Sequence, residues 1–172
     1  MTSELSYDAV GATLPGREAW TGRPAGYLRH TRTVWVGRGS TCWEAAAVAV
    51  LDWQIKIRSG FRVEASDGGD RRVRADADYR LTARAGPVTV QEPVRVVAVV
   101  DEPARCGFAY GTRAGHPVRG EEAFIVHRTP DGRVWFTLRS LTRPAPGPWW
   151  AAFPALLFAQ ACYRRRYLRA LT

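Results

Sequence analysis

The spacing of apolar residues along this chain changes from a helical period to a period of two. Across 41–59 apolar side chains recur at intervals of three and four residues, which predicts one amphipathic helix. Gly60 is placed to end that helix, and Thr41 with Glu44 has the spacing of a capping box at its start. Across Phe61–Leu141 apolar and polar residues alternate, which is the pattern of half-buried strands.

Seven strands are predicted, one before the helix at Gly26–Gly39 and six after it. Turn residues separate the six, as at Gly86-Pro87 and Pro130–Gly132. Consecutive strands joined by such short turns form an antiparallel meander. The six strands are Phe61–Ala65, Val73–Ala85, Val88–Val100, Arg105–Thr112, Glu122–Arg128 and Val134–Leu141.

A second helix is predicted to close the chain after the prolines of 144–148. Pro154 is acceptable in a first turn, so this helix spans about Pro154–Ala170. Its apolar stretch, 149–163, is shorter than the roughly 20 residues that cross a bilayer, and we expect it to be buried against the sheet. The order of elements is that of the α+β helix-grip fold, in which a curved antiparallel sheet of about seven strands wraps a long C-terminal helix.

Length and composition favour one domain over residues 1–172. Apolar residues make up 46% of the chain, enough for one sizeable core, and 1–25 is predicted to be an irregular lead-in. The N-terminus lacks the basic start and apolar core of a signal peptide. Three widely spaced cysteines, Cys42, Cys106 and Cys162, are predicted to be buried free thiols, which indicates a cytoplasmic protein.

The net charge of +9 is carried almost entirely by arginine, since Lys56 is the only lysine. Lys56 and Arg58 are predicted to lie in the last turn of the first helix, where cations suit the helix dipole. A basic balance favours anionic partners. However, the arginines are scattered along the chain, apart from the run Arg164–Arg166. Codon usage in a GC-rich genome also produces an excess of arginine over lysine. Charge alone is therefore weak evidence for nucleic acid or a membrane surface as a partner.

The strand Arg105–Thr112 is predicted to line a ligand-binding cavity. In a strand, Phe108, Tyr110 and Thr112 share one face, while the small residues between them share the other. The bulky face offers two hydroxyl groups to a ligand. The small face lets another chain segment approach closely.

The turn that follows holds the candidate catalytic residues His116, Glu121 and Glu122. A histidine and a carboxylate in contact can act as base and acid. The alternative interpretation is structural: the glycines shape a bulged hairpin, an arginine pairs with one glutamate, and His116, which precedes Pro117, is exposed.

Arg164 is predicted to lie within the apolar arc of the last helix, beside Gln160. Such a guanidinium extends to solvent, pairs with Glu121 or Glu122, or holds an anionic ligand group. Glu122, Gln160 and Arg164 are therefore ligand-binding candidates together with the strand residues above.

No linear motif assigns a metal, a cofactor or an enzyme class. His30, His116 and His127 lack the close spacing of metal ligands, so no metal site is predicted. Phosphate-binding loops, dinucleotide fingerprints, hydrolase elbows and CxxC pairs are absent from the sequence. We therefore predict no cofactor, and the motifs do not favour an enzyme.

Short motifs from one end of the chain to the other match a known family. They are Tyr7-x-x-Val10-Gly11-Ala12-Thr13, Pro24–Tyr27, Gly37-x-Gly39, Val99–Pro103, Gly107–Thr112, Gly115–Pro117, Gly120–Phe124 and Arg165–Leu168. With them the chain resembles the bacterial and plant family named domain of unknown function nineteen-ninety. The resemblance implies a START-like, Bet v 1-like fold, whose members mostly bind lipids, hormones or polyketides and sometimes act on them. It implies no catalytic residues.

The expected function is therefore the binding of a hydrophobic or amphiphilic small molecule, including an anionic one, between the sheet and the last helix. One alternative is an enzyme of the same fold that uses His116, Glu121, Glu122 or Tyr110. The other alternative is an arginine-mediated binder of nucleic acid or membrane surfaces.

Overall fold

One antiparallel sheet with three helices makes up the fold, a computed structural model that describes residues 4–85 and 88–172. Along the sheet the strands are ordered β1-β7-β6-β5-β4-β3-β2, which confirms the predicted seven-stranded helix-grip architecture. The elements are β1 (Leu28–Arg38), α1 (Ser40–Leu51), α2 (Gln54–Arg58), β2 (Phe61–Ala65), β3 (Asp78–Ala85), β4 (Val88–Glu102), β5 (Arg105–Thr112), β6 (Val118–Arg128), β7 (Arg133–Pro144) and α3 (Pro148–Arg169).

The strand predictions hold for most of the sheet and fail at the start of β3. Strands β2 and β5 have the predicted bounds, and β6 and β7 extend beyond them. The segment 73–77, predicted as strand, is a turn in which Asp76 has a φ of 60°. Val73 is buried there and donates its amide to the Leu51 carbonyl at 2.9 Å, so its apolar character reflects core packing. The turn predicted at Gly86-Pro87 lies outside the described residues.

The first predicted helix is broken into α1 and α2 at Trp53, whose φ is 59°. The break lets the Trp53 ring enter the core, where its centroid lies 4.5 Å from that of Phe108. The predicted capping box is wrong. The helix begins at Ser40 after Gly39, so Thr41 lies inside the first turn, and no side chain caps the helix.

Both short helices lie on the concave face of the sheet, as predicted. Their apolar side chains and those of β2 to β7 form one buried core. Burial of large aromatic side chains is the main stabilising contribution of this layer. The largest of them are Trp53, Tyr79, Phe108, Phe124 and Phe136.

The closing helix α3 is longer and less buried than predicted. It begins six residues early because Pro148 occupies its first turn, and Pro154 lies inside it. Among its described side chains only Tyr167 is buried, while Trp150 and Phe158 are 70% and 73% exposed. Tyr163 and Tyr167 pack against Phe61 and anchor the C-terminal part of the helix. The N-terminal part of the helix is therefore less buried than the part that Tyr163 and Tyr167 anchor.

Two further expectations concern cysteines and membranes. The three cysteines are free, but only Cys106 is buried, and Cys162 is exposed on α3. Burial and the neighbouring Asp101 raise the pKa of Cys106 to about 11, so its thiol stays protonated at neutral pH. In the described parts of the chain, no helix combines the length and the hydropathy needed to cross a membrane.

The lead-in packs on the convex face of the sheet and is fixed there by Glu121. This buried carboxylate accepts hydrogen bonds from Tyr7 Oη at 2.7 Å, the Gly11 amide at 2.7 Å, and the amide and hydroxyl of Thr13. Burial and the charge of Glu121 raise the pKa of Tyr7 well above its ordinary value, so the phenol remains a donor. The Tyr7 ring lies directly over Gly111, as the small-residue face of β5 predicts.

We expect Gly111→Ala to destabilise the fold by about 1–3 kcal/mol, because the new methyl group would overlap the buried Tyr7 ring. Gly16→Ala is the matched control, since its methyl group would lie 3.6 Å from the nearest atom of Val100. We expect that change to alter the free energy of unfolding by at most about 0.5 kcal/mol. Urea denaturation measures both, and equal effects would contradict the close packing.

Candidate functional site

A cavity of about 170 Å³ lies between the concave face of the sheet and α3. Strands β2 to β7 and helix α2 supply its floor and walls. Its roof is one face of α3, formed by residues three and four positions apart: Leu156, Ala159, Gln160, Tyr163 and Tyr167. The walls are apolar except where several charged and hydroxyl-bearing side chains converge.

Lys56, the only lysine of the chain, is buried at the wall of this cavity. Its side chain is 3% exposed, and its ammonium group donates to Tyr167 Oη at 2.8 Å. The same group lies 3.3 Å from Glu122 Oε2. Lys56 lies in the last turn of a helix, as predicted, but that helix is the short α2, because the predicted long helix is broken at Trp53.

Four aromatic rings surround the Lys56 ammonium group. Its nitrogen lies 4.4 Å from the ring centroid of Phe61 and 4.7 Å from that of Tyr167, with Tyr110 and Phe124 at 5.2 and 5.9 Å. A desolvated cation–π contact contributes about 2 kcal/mol, so this aromatic box is a stabilising environment for an ammonium group.

Glu122 is the buried counter-ion, and Tyr110 donates its hydroxyl to the same carboxylate oxygen. Burial, and then the charge of Glu122, raise the pKa of Tyr110 well above its ordinary value. Tyr167 is affected in the same way. Because a lysine ammonium can only donate, the Tyr167 oxygen accepts from Lys56 and keeps its own proton for another acceptor.

His116 and Glu92 form a second polar pair in the cavity. The His116 side chain is 7% exposed, so the prediction that it is exposed in a turn is wrong. The Val118 amide donates to His116 Nδ1 at 3.1 Å, so the neutral ring carries its proton on Nε2, 3.7 Å from the Glu92 carboxylate. Burial raises the pKa of Glu92, but His116 and Lys56 lower it, and their effect prevails.

Arg164 lies beside Gln160, next to the cavity. Its Nη2 donates to Gln160 Oε1 at 2.9 Å and to Ser140 Oγ at 2.7 Å, while the Gln160 amide donates to Thr142 Oγ1. Burial lowers the pKa of Arg164, and the charge of Glu122 partly offsets this. Among the described residues, Glu122 pairs with Lys56 and Glu121 accepts from the lead-in, in place of the arginine pairing that was expected for one of them.

The other predicted site residues divide between the cavity, the core and the opposite face. Thr112 lines the cavity, and its hydroxyl accepts from the Gly120 amide at 2.9 Å. Phe108 lies in the core against Trp53 and does not line the cavity. The carboxylate of Glu121 is used on the convex face, so it cannot act with His116.

Sequence analysis missed Lys56, Glu92 and Tyr167. A signal was present for Lys56, because a chain with 25 lysines and arginines contains only this lysine, between two isoleucines. Glu92 lies in a correctly predicted strand, on the face that carries Val94 and Val96. Alternation of apolar and polar residues does not indicate which polar residue of a strand faces a cavity. Within the residues that the structure describes, no three histidine, cysteine or acidic side chains are placed to hold a metal ion.

Comparison with known proteins agrees with this architecture. The chain is 36% identical over 163 residues to a UPF0548 protein of Deinococcus radiodurans, covering 90% of this chain and 76% of that protein. A UPF0548 protein of Arabidopsis thaliana is 24% identical over 152 residues, covering 85% and 72%.

Two crystal structures share the fold at low sequence identity. The hypothetical protein jhp0584 of Helicobacter pylori has a TM-score of 0.63 at 11% identity, with 88% of each chain covered. Ara h 8.0201 has a TM-score of 0.50 at 14% identity, covering 85% of this chain and 99% of its own. At such identities the likeness concerns the fold alone, which is Bet v 1-like. The model of DUF1990, a domain of unknown function, matches residues 6–170, and the chain therefore belongs to that family.

Proposed function

We propose that the protein binds a small, neutral amphiphilic molecule in the cavity between the sheet and α3. The observation that supports this most directly is a polar cluster, Lys56 with Glu122 and His116 with Glu92, at the wall of an otherwise apolar cavity. A concave apolar site with a few convergent polar groups is the usual form of a small-molecule site.

The volume of the cavity favours a ligand about the size of one ring. An engineered protein cavity of about 150 Å³ holds benzene, whereas drug-sized ligands occupy about 300–1,000 Å³. At about 170 Å³, this cavity suits a single ring or a short chain with one polar group. A larger ligand would have to displace α3, whose N-terminal part is held by few buried side chains.

The charges around the cavity favour a neutral polar group. Lys56 is already neutralised by Glu122, and Glu92 is ionised at neutral pH because its pKa is lowered. An anionic ligand would meet two carboxylates, and a cationic ligand would compete with Lys56 for Glu122. A hydroxyl group instead can accept from Tyr167 and donate to Glu92 without bringing a buried charge.

The titration of the cavity residues favours binding over acid–base catalysis. A catalytic acid or base works best with a pKa near the working pH. The pKa of Glu92 is lowered, and those of Tyr110 and Tyr167 are raised far above neutrality. His116 Nδ1 already accepts a backbone hydrogen bond. Glu92, Tyr110 and Tyr167 are therefore strong hydrogen-bonding groups but weak proton-transfer groups.

We expect phenol to bind more tightly than benzoate or benzylamine, which have a ring of the same size but carry a charge. Saturation-transfer NMR, with competition between the three, measures their relative affinities. Tighter binding of either ion would contradict a site for a neutral polar group.

A matched pair of α3 variants tests whether the cavity is the binding site. Both alanines are exposed on α3, but Ala159 lines the cavity and Ala161 does not. Ala159→Leu should fill the cavity and abolish phenol binding, while Ala161→Leu should leave the phenol affinity unchanged. If both variants bind phenol equally well, the ligand lies elsewhere.

Removal of the Lys56 charge should lower the free energy of unfolding, because Lys56 is one partner of a buried ion pair. Lys56→Met leaves Glu122 buried without its cation, and we expect a loss of about 3–5 kcal/mol in the free energy of unfolding. The double variant Lys56→Met with Glu122→Gln removes both charges and should recover most of that loss. Urea denaturation of the wild type and three variants gives the coupling energy, and a coupling near zero would contradict the pair.

A further inference from the structure

The convex face of the sheet carries a second pocket, of about 340 Å³, beneath the lead-in. Four strands contribute to it, and its basic side chains are Arg29 of β1, Arg105 of β5, His127 of β6 and Arg139 of β7. We call this set the convex basic cluster. It shares no side chain with the cavity under α3.

Strand register brings the cluster together. Arg105 pairs with His127 across β5 and β6, and Arg139 pairs with Thr31 across β7 and β1. The buried Trp20 ring of the lead-in covers the cluster, with Arg29 Cζ 3.8 Å and Arg139 Cζ 5.7 Å from its centroid.

The cluster has a surplus of positive charge. Among residues 4–85 and 88–172, no carboxylate forms an ion pair with Arg29, Arg105 or Arg139, and the acidic residue at the pocket, Glu18, is exposed. Arg139 is 3% exposed and donates to four backbone carbonyls of the lead-in. Burial, and then the charges of Arg105 and Arg29, lower the pKa of Arg139 to about 10. A buried cation with neutral partners alone is costly, and an anion would offset that cost.

Unused hydrogen-bonding groups remain in the pocket. Arg29 Nε, Arg139 Nε and His127 Nδ1 are buried and have no partner among the described residues. Buried polar atoms without a partner are uncommon and often mark the place of a water or an ion. Thr31 also lines the pocket, together with Thr33 and Thr137, whose hydroxyls hydrogen-bond to each other at 2.8 Å.

We propose that the convex basic cluster binds a tetrahedral oxyanion, a phosphate or sulfate group that is either free or carried by a small molecule. Its several oxygens can accept bonds from donors on separate strands, which suits a site assembled from four strands. The pocket is larger than the oxyanion itself and has room for an attached group. This proposal is independent of the ligand under α3.

His127 provides a direct measure of oxyanion binding. Burial and the charges of Arg105 and Arg139 lower its pKa, while Glu18 raises it. Arg29 also lies in the pocket. A bound anion would neutralise part of the positive charge, so sulfate should raise the pKa of His127. His30 lies on the concave face, and its pKa should not move.

The experiment is a pH titration of the three histidine ring signals by NMR, in sulfate and in chloride at equal ionic strength. Sulfate keeps its charge over the titration range, and His127→Gln identifies the signal. We expect a pKa increase for His127 in sulfate only. Equal behaviour in sulfate and chloride, or equal shifts of all three histidines, would overturn the proposal.

Two variants of β1 that each remove one positive charge locate the site. Arg29 lies on the convex face of β1. Arg32 lies two residues after His30, so its side chain is on the concave face, and it is exposed. Arg29→Gln should weaken sulfate binding about tenfold, the effect of one lost hydrogen bond to a charged group, while Arg32→Gln should leave it unchanged. Circular dichroism checks that both variants keep the fold. Equal weakening by both would indicate diffuse attraction and refute the site.

Phenyl phosphate distinguishes the two sources of the oxyanion. If it binds more tightly than inorganic phosphate, the pocket recognises the attached group as well as the oxyanion. If the two bind equally, the site holds the oxyanion alone. Failure of Arg29→Gln to alter either affinity would overturn the assignment, whatever the result for phenol under α3.

Discussion

The alternation of side chains along β6 organises both faces of the sheet through two adjacent glutamates. Glu122 points to the concave face and pairs with Lys56, while Glu121 points to the convex face and holds the lead-in. Each carboxylate is buried, so each must receive several donors to offset its desolvation. The cavity and the convex pocket therefore both depend on β6 keeping its register, because a slip by one residue would exchange the two carboxylates.

The Lys56–Glu122 pair fixes the geometry of the cavity rather than adding much net stability. Replacement of a buried ion pair by apolar side chains is often neutral or stabilising. Here, however, the pair connects α2, β6 and α3, because Lys56 also donates to Tyr167. Among the described side chains of α3, only that of Tyr167 is buried. The position of the helix over the sheet, and hence the size of the cavity, therefore depends strongly on this polar contact.

The sequence predicted the sheet well because burial on one face imposes a period of two that can be read locally. Strands β2 and β5 have the predicted bounds, and Tyr110, Thr112, Glu122 and Gln160 do line the cavity. Features that depend on tertiary packing could not be predicted from the local sequence. Trp53 breaks a helix to bury its ring, and His116 is buried because the turn folds back towards β4. The apolar character of α3 predicted burial, whereas the polar contacts near its C-terminal end determine which part reaches the sheet.

The distribution of lysine and arginine reflects the different shapes of their charged groups. A guanidinium group presents a planar fork of donors, and Arg139 uses it to hold four carbonyls of the lead-in. An ammonium group is a compact charge that fits inside an aromatic box, as Lys56 does. Genome composition can account for the abundance of arginine, but it does not explain why the one lysine lies in the cavity. The Lys56 nitrogen reaches Tyr167 Oη at 2.8 Å and Glu122 Oε2 at 3.3 Å from inside the aromatic box, a geometry that suits a compact charge with rotatable donors.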